Sequence, residues 1–564
     1  LKLKRTLLYI LSGLCLAFAF PPINIYTLYF PGIVLLIHFI HSSENFKQAF
    51  TKSYFALLSF ELVTVSWISL SGLREGADKF MILGGFFEMV IHSALLTLPL
   101  IIYFYTRKSI TGYFKTKNPA LGNIISLFTL PFIWVTVEYL YALPEVSFPW
   151  LTAGNAFSSA LNKIQFIEIT GVYGISFWIM TISCFVYIIF EKSINHKDSF
   201  GKLIRRKDVI VLLAVVFVLY FIPDLYTIIT SPAKKYTNYV SEGKVKVNII
   251  QPNVNPWKKW GAKQIDLVND YVDLIKLSDT ANPKPDLMIL PETAVPFYLL
   301  DSYYSDKYDL IKSVVEDTKT PLLIGIPDLV YYNDSIKSKS DSKENKGSGK
   351  KYDTFNSAVL IQPGEEKVSH QKYAKMRLVI ASERMPYQER IAILRDLIRW
   401  SVGISSFQIG WDTTIFKLKD KYKFCTAICY ETVYPEFFAA FSEKGSTFNV
   451  IITNDGWWGK LFGTYQHNQF AILRAIENRR WIARCANTGI SGTIDPYGNM
   501  YNQSPINEKF IISDYVGINT EVTFYTRHPY LFPNILLLIS CVIILGAVVL
   551  RIAKKREDWV SSGS

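Results

Sequence analysis

Three polar residues stand at the ends of apolar runs in this chain: Glu292 after "LMILP", Lys375 within "YAKMRL", and Cys429 at the close of "FCTAIC". A thiol with an ordinary pKa of about 8.5 is a poor nucleophile until a base takes its proton. A carboxylate can act as that base, and a nearby ammonium can stabilise the negative charge that develops on a substrate carbonyl. Glu, Lys and Cys together therefore meet the needs of nucleophilic acyl transfer. Singly, each has a plainer reading: Glu292 as a helix cap, Lys375 as a surface charge, Cys429 as a core thiol.

The six cysteines (Cys15, Cys184, Cys425, Cys429, Cys485, Cys541) are scattered, and three lie in apolar runs where a thiol packs as a small hydrophobe. Cys425 and Cys429 sit four apart on one expected strand. That spacing sets them about 13 Å apart, beyond the roughly 7 Å limit for a disulfide. No His pair lies near enough in sequence to complete a zinc site, so no metal is expected.

The elements that must position these residues fall into two textures. The chain has 564 residues, 50% of them hydrophobic and 15% aromatic, with a mean hydropathy of +0.19. It is too apolar for one soluble domain and too polar to be all membrane. Apolar runs occupy residues 7–20, 28–40, 54–71, 80–105, 124–142, 171–190, 209–222 and 531–550. Measured against the ~20 residues of a spanning helix, they predict about eight spans, with the first two and the seventh short. The net charge of +13 is concentrated in alternate connections, at Lys2 to Arg5, Lys47 and Lys52, Arg107 to Lys117, Lys197 to Lys207, and Arg551 to Arg556. By the positive-inside rule both termini are expected in the cytoplasm and residues 230–527 outside it. The charge is thus a topology signal rather than a nucleic-acid footprint. The first run, with "AFA" at Ala17 to Ala19, also resembles a signal peptide; Pro21-Pro22 and the apolar run beyond favour an uncleaved span. Glu61, Glu88, His92, Glu138 and Glu168 lie in or near spans and are expected to pair helices.

Between the seventh and eighth spans, short strand-like runs such as "KVKVNIIQPNV", "PLLIGIPDLV" and "FNVIITNDGWWG" alternate with amphipathic stretches at Gln264 to Leu277 and Gln466 to Glu477. Strands interleaved with helices imply an α/β sandwich. His467 is expected as a structural partner, while Trp457 and Trp458 suit either a lipid portal or packing. The polar insert Ser335 to Lys351 reads as a mobile surface loop. The predicted organisation is a membrane domain of about seven spans (1–229), an extracytoplasmic catalytic domain (230–527), and a last transmembrane helix with a cytoplasmic tail (528–564).

The ordered set "LPETAVP", "YDTFNSAVL", "YAKMRLVIASE", "AICYE" and "NDGWWG" resembles the carbon–nitrogen hydrolase (nitrilase) superfamily. With spans before and after it, and with "FPWLTAGNAF" at Phe148 to Phe157, the whole chain resembles its membrane-embedded branch, the bacterial apolipoprotein N-acyltransferases. The resemblance implies a multi-pass helical domain joined to an α-β-β-α sandwich. It implies Glu292 as general base, Lys375 as oxyanion partner and Cys429 as nucleophile. It also gives supporting places to Glu383, Tyr430, Glu431, Trp260 and Asn356. The chain departs from the family's pattern at Leu290, where Trp is frequent, in "RLVIASE", where "HLVPFGE" is frequent, and at Tyr141, where some relatives carry Arg.

The implied reaction moves an acyl chain from a membrane phospholipid, through a cysteine thioester, to the α-amino group of a diacylglyceryl-cysteine on an apolipoprotein. No cofactor, metal or nucleic acid is implied, and the expected enzyme is a monomer in the bacterial inner membrane with its catalytic domain on the periplasmic side. Two rivals use the same features: a membrane-tethered nitrilase-type amidase with water as acceptor, and a transporter with an appended binding domain. The number of spans opposes the first, and the lack of two related halves opposes the second.

Overall fold

The computed structural model describes residues 2–196, 200–230, 243–332, 338–339, 341–345, 347–391, 406–419 and 421–562. Among them, six helical segments are long and apolar enough to cross a membrane: Phe46–Ser71, Phe80–Phe114, Pro119–Ala142, Val172–Ile194, Lys207–Thr230 and Leu531–Ser561. Two shorter apolar helices, Thr6–Ala19 and Tyr26–His41, precede them. The eight segments coincide with the eight apolar runs of the sequence. The seventh is longer than expected, because its helix continues through Pro223 to Thr230. Proline removes one helical hydrogen bond without forcing an end, and the following Asp224 is neutralised by Lys163 at 2.5 Å. The first and third helices pack closely at Gly13, where a Cβ would lie 2.4 Å from the Ala56 carbonyl oxygen. Glu138 accepts from the Trp134 indole (2.8 Å) and the Ala153 N–H (2.8 Å), and Glu168 pairs with Arg479 at 2.7 Å. Glu138 thus joins its helix to the turn that follows it, while Glu168 reaches into the strand-rich part of the chain.

The remainder is built on two sheets. The first contains β1 (Lys244–Gln251), β2 (Leu287–Ile289), β3 (Leu322–Tyr331), β4 (Lys343–Glu344), β5 (Lys351–Ile361), β6 (Gln371–Ala374) and, at its far edge, β13 (Phe510–Gly517). The second contains β7 (Phe416–Leu418), β8 (Tyr422–Ile428), β9 (Phe448–Thr453), β10 (Ile482–Ala486), β11 (Gly492–Ile494) and β12 (Met500–Tyr501). Spatial order is β13-β1-β2-β3-β5-β4, with β6 also on β5, and β12-β11-β10-β9-β8-β7. The central pairs β1–β2, β2–β3, β8–β9 and β9–β10 are parallel, and the flanking pairs are antiparallel.

Alternation along the strands explains the layering. Leu287, Ile289, Leu323, Ala358 and Leu360 face the core shared with the second sheet. Their neighbours Met288, Leu290, Ile324, Val359 and Ile361 face helices Gln264–Asp279 and Ser305–Thr318. Helices Pro435–Glu443 and Phe462–Asn478 pack on the second sheet. Strands buried on both faces must be nearly continuously apolar, which is why these runs lack the polar alternation of a half-exposed sheet. The architecture is the α-β-β-α sandwich of the nitrilase fold class.

The insert departs from the mobile loop expected. Residues 335–337, 340 and 346 lie outside the described residues, but Lys343–Glu344 pairs with β5, and buried Asp341 meets Arg384 at 2.9 Å. A buried ion pair anchors what composition alone reads as solvated.

Candidate active site

β8 ends at Ile428, and Cys429 opens a tight 3-10 turn, Cys429–Val433, with φ +53. A left-handed backbone at a non-glycine residue costs about 1–3 kcal/mol and persists only where neighbours over-determine it. Here they do. Glu431 accepts from the Ile428 N–H (2.7 Å), the Met376 N–H (2.6 Å) and the Tyr373 hydroxyl (2.6 Å), tying the turn to the segment that carries Lys375. Burial pushes the Glu431 carboxyl up to about 7, and these donors pull the other way. The Cys429 carbonyl accepts from Thr432 Oγ1 (2.8 Å) and from His467 Nε2 (3.0 Å). A carbonyl only accepts, so Nε2 carries the hydrogen.

Lys375 follows β6, its N–H donating to the Asn356 carbonyl (2.8 Å) and its own carbonyl accepting from Gly410 (2.9 Å). Its ammonium is fully enclosed and lies 3.0 Å from both Glu292 and Glu383. Asn356 on β5 bridges the same two carboxylates, donating to Glu292 Oε1 (2.8 Å) and Glu383 Oε1 (2.7 Å). The outer oxygens are held by backbone: Glu292 Oε2 by Asn454 N–H (3.0 Å) and Glu383 Oε2 by Val379 N–H (2.7 Å). Gly325 makes room for Glu292, since a Cβ there would sit 2.7 Å from the Glu292 Cα. Burial alone would depress the Lys375 ammonium, but Glu292 and Glu383 outweigh it and hold the group well above its ordinary value. Burial lifts the Cys429 thiol well above its ordinary range, Glu292 lifts it further, and Lys375 opposes them. The net effect favours the protonated thiol.

Six of the eight residues singled out from the sequence converge: Glu292, Lys375, Cys429, Glu383, Glu431 and Asn356. Tyr430 and Trp260 sit differently. The Tyr430 ring turns towards the helical domain, where its hydroxyl donates to the Ser147 carbonyl (2.9 Å). Trp260 lies in the turn Lys259–Gly261, and its indole N–H meets no acceptor among the described residues. Its link to the cluster runs through Lys259, whose ammonium donates to the carbonyl of Thr293, beside Glu292. Burial lowers Lys259 to about 8.

His467, expected from the sequence as a structural partner, heads a set beneath Cys429 whose other members, Asp455 and Arg484, sequence reasoning missed. His467 Nδ1 lies 2.8 Å from Asp455 Oδ1, and Arg484 donates to Asp455 Oδ2 at 2.8 Å, all three side chains being fully buried. Burial alone would raise the Asp455 carboxyl; Arg484 and His467 hold it well below the usual range instead. Gln466 was also missed. It accepts from the indoles of Trp67 (3.1 Å) and Trp150 (2.7 Å) and donates to the carbonyls of Pro21 (3.1 Å) and Thr64 (2.9 Å). One amide thus joins four points of the helical domain to the helix that carries His467. Trp150 stacks on His467 at 5.8 Å and meets Trp458 edge-on at 5.8 Å, so "FPWL" and "NDGWWG" meet directly, and Trp458 also packs on Trp67 at 4.6 Å. Trp457 packs edge-on to Trp257.

Residues 246–514 match the model of the carbon–nitrogen hydrolase family, the class that the paired sheets define. Residues 12–185 match the apolipoprotein N-acyltransferase N-terminal domain. An apolipoprotein N-acyltransferase of Chlorobaculum tepidum is 31% identical over 97% of this chain and 97% of its own length. One of Geobacter metallireducens is 27% identical over 93% and 92%. A Saccharomyces cerevisiae member of branch 10 of the nitrilase superfamily overlays 51% of this chain and 94% of its own, with 15% identity and a TM-score of 0.36. The chain belongs to the apolipoprotein N-acyltransferase family.

Proposed function

We propose that this protein transfers an acyl chain from a membrane phospholipid to the α-amino group of the N-terminal diacylglyceryl-cysteine of apolipoproteins, using Cys429, Glu292 and Lys375. The observation that carries the reading is the Lys375 ammonium, sealed between Glu292 and Glu383 beside a thiol on a left-handed turn. As the thiol sulfur bonds to the ester carbonyl carbon, its proton passes to Glu292, and the oxyanion is held by Lys375 and the Tyr430 N–H. The C–O bond then breaks, and lysophospholipid leaves with the proton from Glu292. In the second half the acceptor amine attacks the thioester, Glu292 takes the amine's proton, and the C–S bond breaks. Glu292 returns that proton to sulfur, leaving an amide and the starting thiol.

The remaining residues support these steps. Asn356 and Glu383 fix the ammonium, Glu431 fixes the turn, and Trp260 marks the arm over Glu292. The apolar helices suit a reaction whose two substrates both carry acyl chains, at about 0.8 kcal/mol per methylene kept from water. Residues 1–229 and 528–564 thus serve as the membrane platform, and 230–527 as the catalytic unit on the extracytoplasmic side of the bacterial inner membrane.

The test is mass spectrometry of a lipoprotein N-terminus from cells whose only copy of the activity is this chain. One extra amide-linked acyl chain is expected with the wild type and none with Cys429→Ala. Release of free fatty acid with no acylated N-terminus would instead support the amidase-like hydrolase.

A further inference from the structure

Glu61, Glu88 and His92 lie on the two neighbouring helices Phe46–Thr64 and Phe80–Leu96, and nothing in the acyl-transfer mechanism uses them. His92 Nδ1 is 2.6 Å from Glu61 Oε1 and 3.5 Å from Glu88 Oε1, and one donor atom from each residue falls within 4.8 Å of the others. The Glu61 side chain is wholly buried, and that of His92 is 4% exposed. His92 Nδ1 and Glu61 Oε1 pair with each other, whereas Glu61 Oε2, both Glu88 oxygens and His92 Nε2 have no hydrogen-bond partner among the described residues. No Lys or Arg among the described residues pairs with either carboxylate.

A protonated His92 balances one of two ionised carboxylates, which leaves the cluster one positive charge short. Glu88 is eight residues into its helix, about 12 Å along it from Phe80, inside an apolar segment where ionised groups are costly. Glu88 and His92 are spaced i,i+4, which sets both on one helix face towards Glu61. A tetrahedral ion with bonds of about 2.0–2.1 Å spaces its ligand atoms by about 3.3 Å; the observed 2.6 and 3.5 Å bracket that value. The His92 ring is oriented by stacking on Tyr141 at 5.5 Å and by the edge of Phe148 at 5.5 Å.

We propose that Glu61, Glu88 and His92 form a binding site for a divalent first-row transition metal, Zn2+ by its mixed nitrogen and carboxylate donors, which pins these two helices together. A mainly apolar groove of about 600 Å3 lies beside the site, between Phe80–Leu96 and the short helix Trp67–Ser71, with Leu70, Lys79, Ile82, Leu83, Phe86 and Met89 in its lining. The site is separate from Cys429, and its failure would leave the acyl-transfer reading untouched.

Full-length protein in detergent, stripped with chelator and reloaded with Zn2+ alone, should retain about one ion per chain after dialysis. X-ray absorption should show nitrogen and oxygen neighbours without sulfur, and the apparent thermal midpoint should rise on reloading. His92→Ala and Glu61→Gln should lower retention at least tenfold, and Glu88→Gln should weaken it by about 10–100-fold. Wild-type protein that retains no Zn2+ would overturn the proposal. So would retention through sulfur, since six thiols are free, or retention undiminished in the variants.

Discussion

Replacing Glu383 by Gln preserves the shape of the side chain and changes what each of its ends can do. Lys375 Nζ lies 3.0 Å from both Oε1 and Oε2; Oε1 also receives Asn356 (2.7 Å), and Oε2 the Val379 N–H (2.7 Å). An amide places an NH2 at one of the two ends, so a donor must face a donor. Turned towards Val379, the amide strands a backbone N–H at a cost of about 1–3 kcal/mol. Turned the other way, it sets the NH2 against the Asn356 amide; in either orientation a charge is gone and an NH2 lies 3.0 Å from the buried ammonium, at about 3–5 kcal/mol. In both orientations Lys375 keeps one carboxylate, Glu292, instead of two. If about 3 kcal/mol of ammonium positioning is lost from the transition state, kcat falls about 100-fold at 1.36 kcal/mol per decade. KM should stay within about threefold, because Glu383 faces Lys375 and Asn356 rather than either acyl chain. The assay is the initial rate of transfer of a labelled chain from phospholipid to a diacylated lipopeptide in mixed micelles, at varied concentrations of each. Wild-type kcat in the variant would refute a positioning role for Glu383, as would a loss expressed wholly in KM.

Other predictions follow from the surroundings of Cys429. His467→Phe removes one of the two donors to the Cys429 carbonyl, leaving Thr432, and leaves Asp455 with Arg484 and Thr453. We expect kcat to fall at least tenfold and acylation of the thiol to slow in parallel; an unchanged acylation rate would show that the turn holds itself. Gln466→Leu strands the indole N–H groups of Trp67 and Trp150. At about 1–3 kcal/mol for each buried donor, the apparent thermal midpoint should fall by several degrees; an unshifted midpoint would mean that ring packing alone joins the two parts. For topology, a membrane-impermeant thiol reagent applied to intact spheroplasts should label a cysteine placed at Gly349 and miss one placed at Lys202. The reverse pattern would invert the orientation.

The residues legible in the sequence are those that interrupt an apolar run. Glu292, Lys375 and Cys429 each end or follow a buried strand, where a polar side chain has no packing reason to be. Asp455 and Arg484 escaped notice because their compensation is entirely tertiary: Arg484 sits inside the apolar run "WIARCAN", and its partner is 29 residues away. Gln466 reads as the solvent side of an amphipathic helix, but that side is covered by the helical domain, and only the docking turns a surface amide into a junction. Pro223 similarly ended the seventh span on paper, because local propensity cannot register that Lys163 neutralises Asp224. Asp341 made the same point in the insert, where Arg384 turns a polar stretch into an anchored one. The layering of the fold was more legible than these pairings, since it follows from hydrophobic runs too continuous for half-exposed strands.

The central claim is that Cys429 carries the acyl chain. Purified protein incubated with phospholipid bearing a labelled acyl chain, with no acceptor, should retain the label as a thioester cleaved by neutral hydroxylamine. Cys429→Ala should abolish that label, while Cys425→Ser and Cys485→Ser, whose thiols lie in the core, should keep it. A diacylated lipopeptide with a free amine should then discharge the label into an amide, and an N-blocked peptide should not. Label persisting in Cys429→Ala would contradict the assignment of the nucleophile, and discharge to water as fast as to the amine would contradict the transferase.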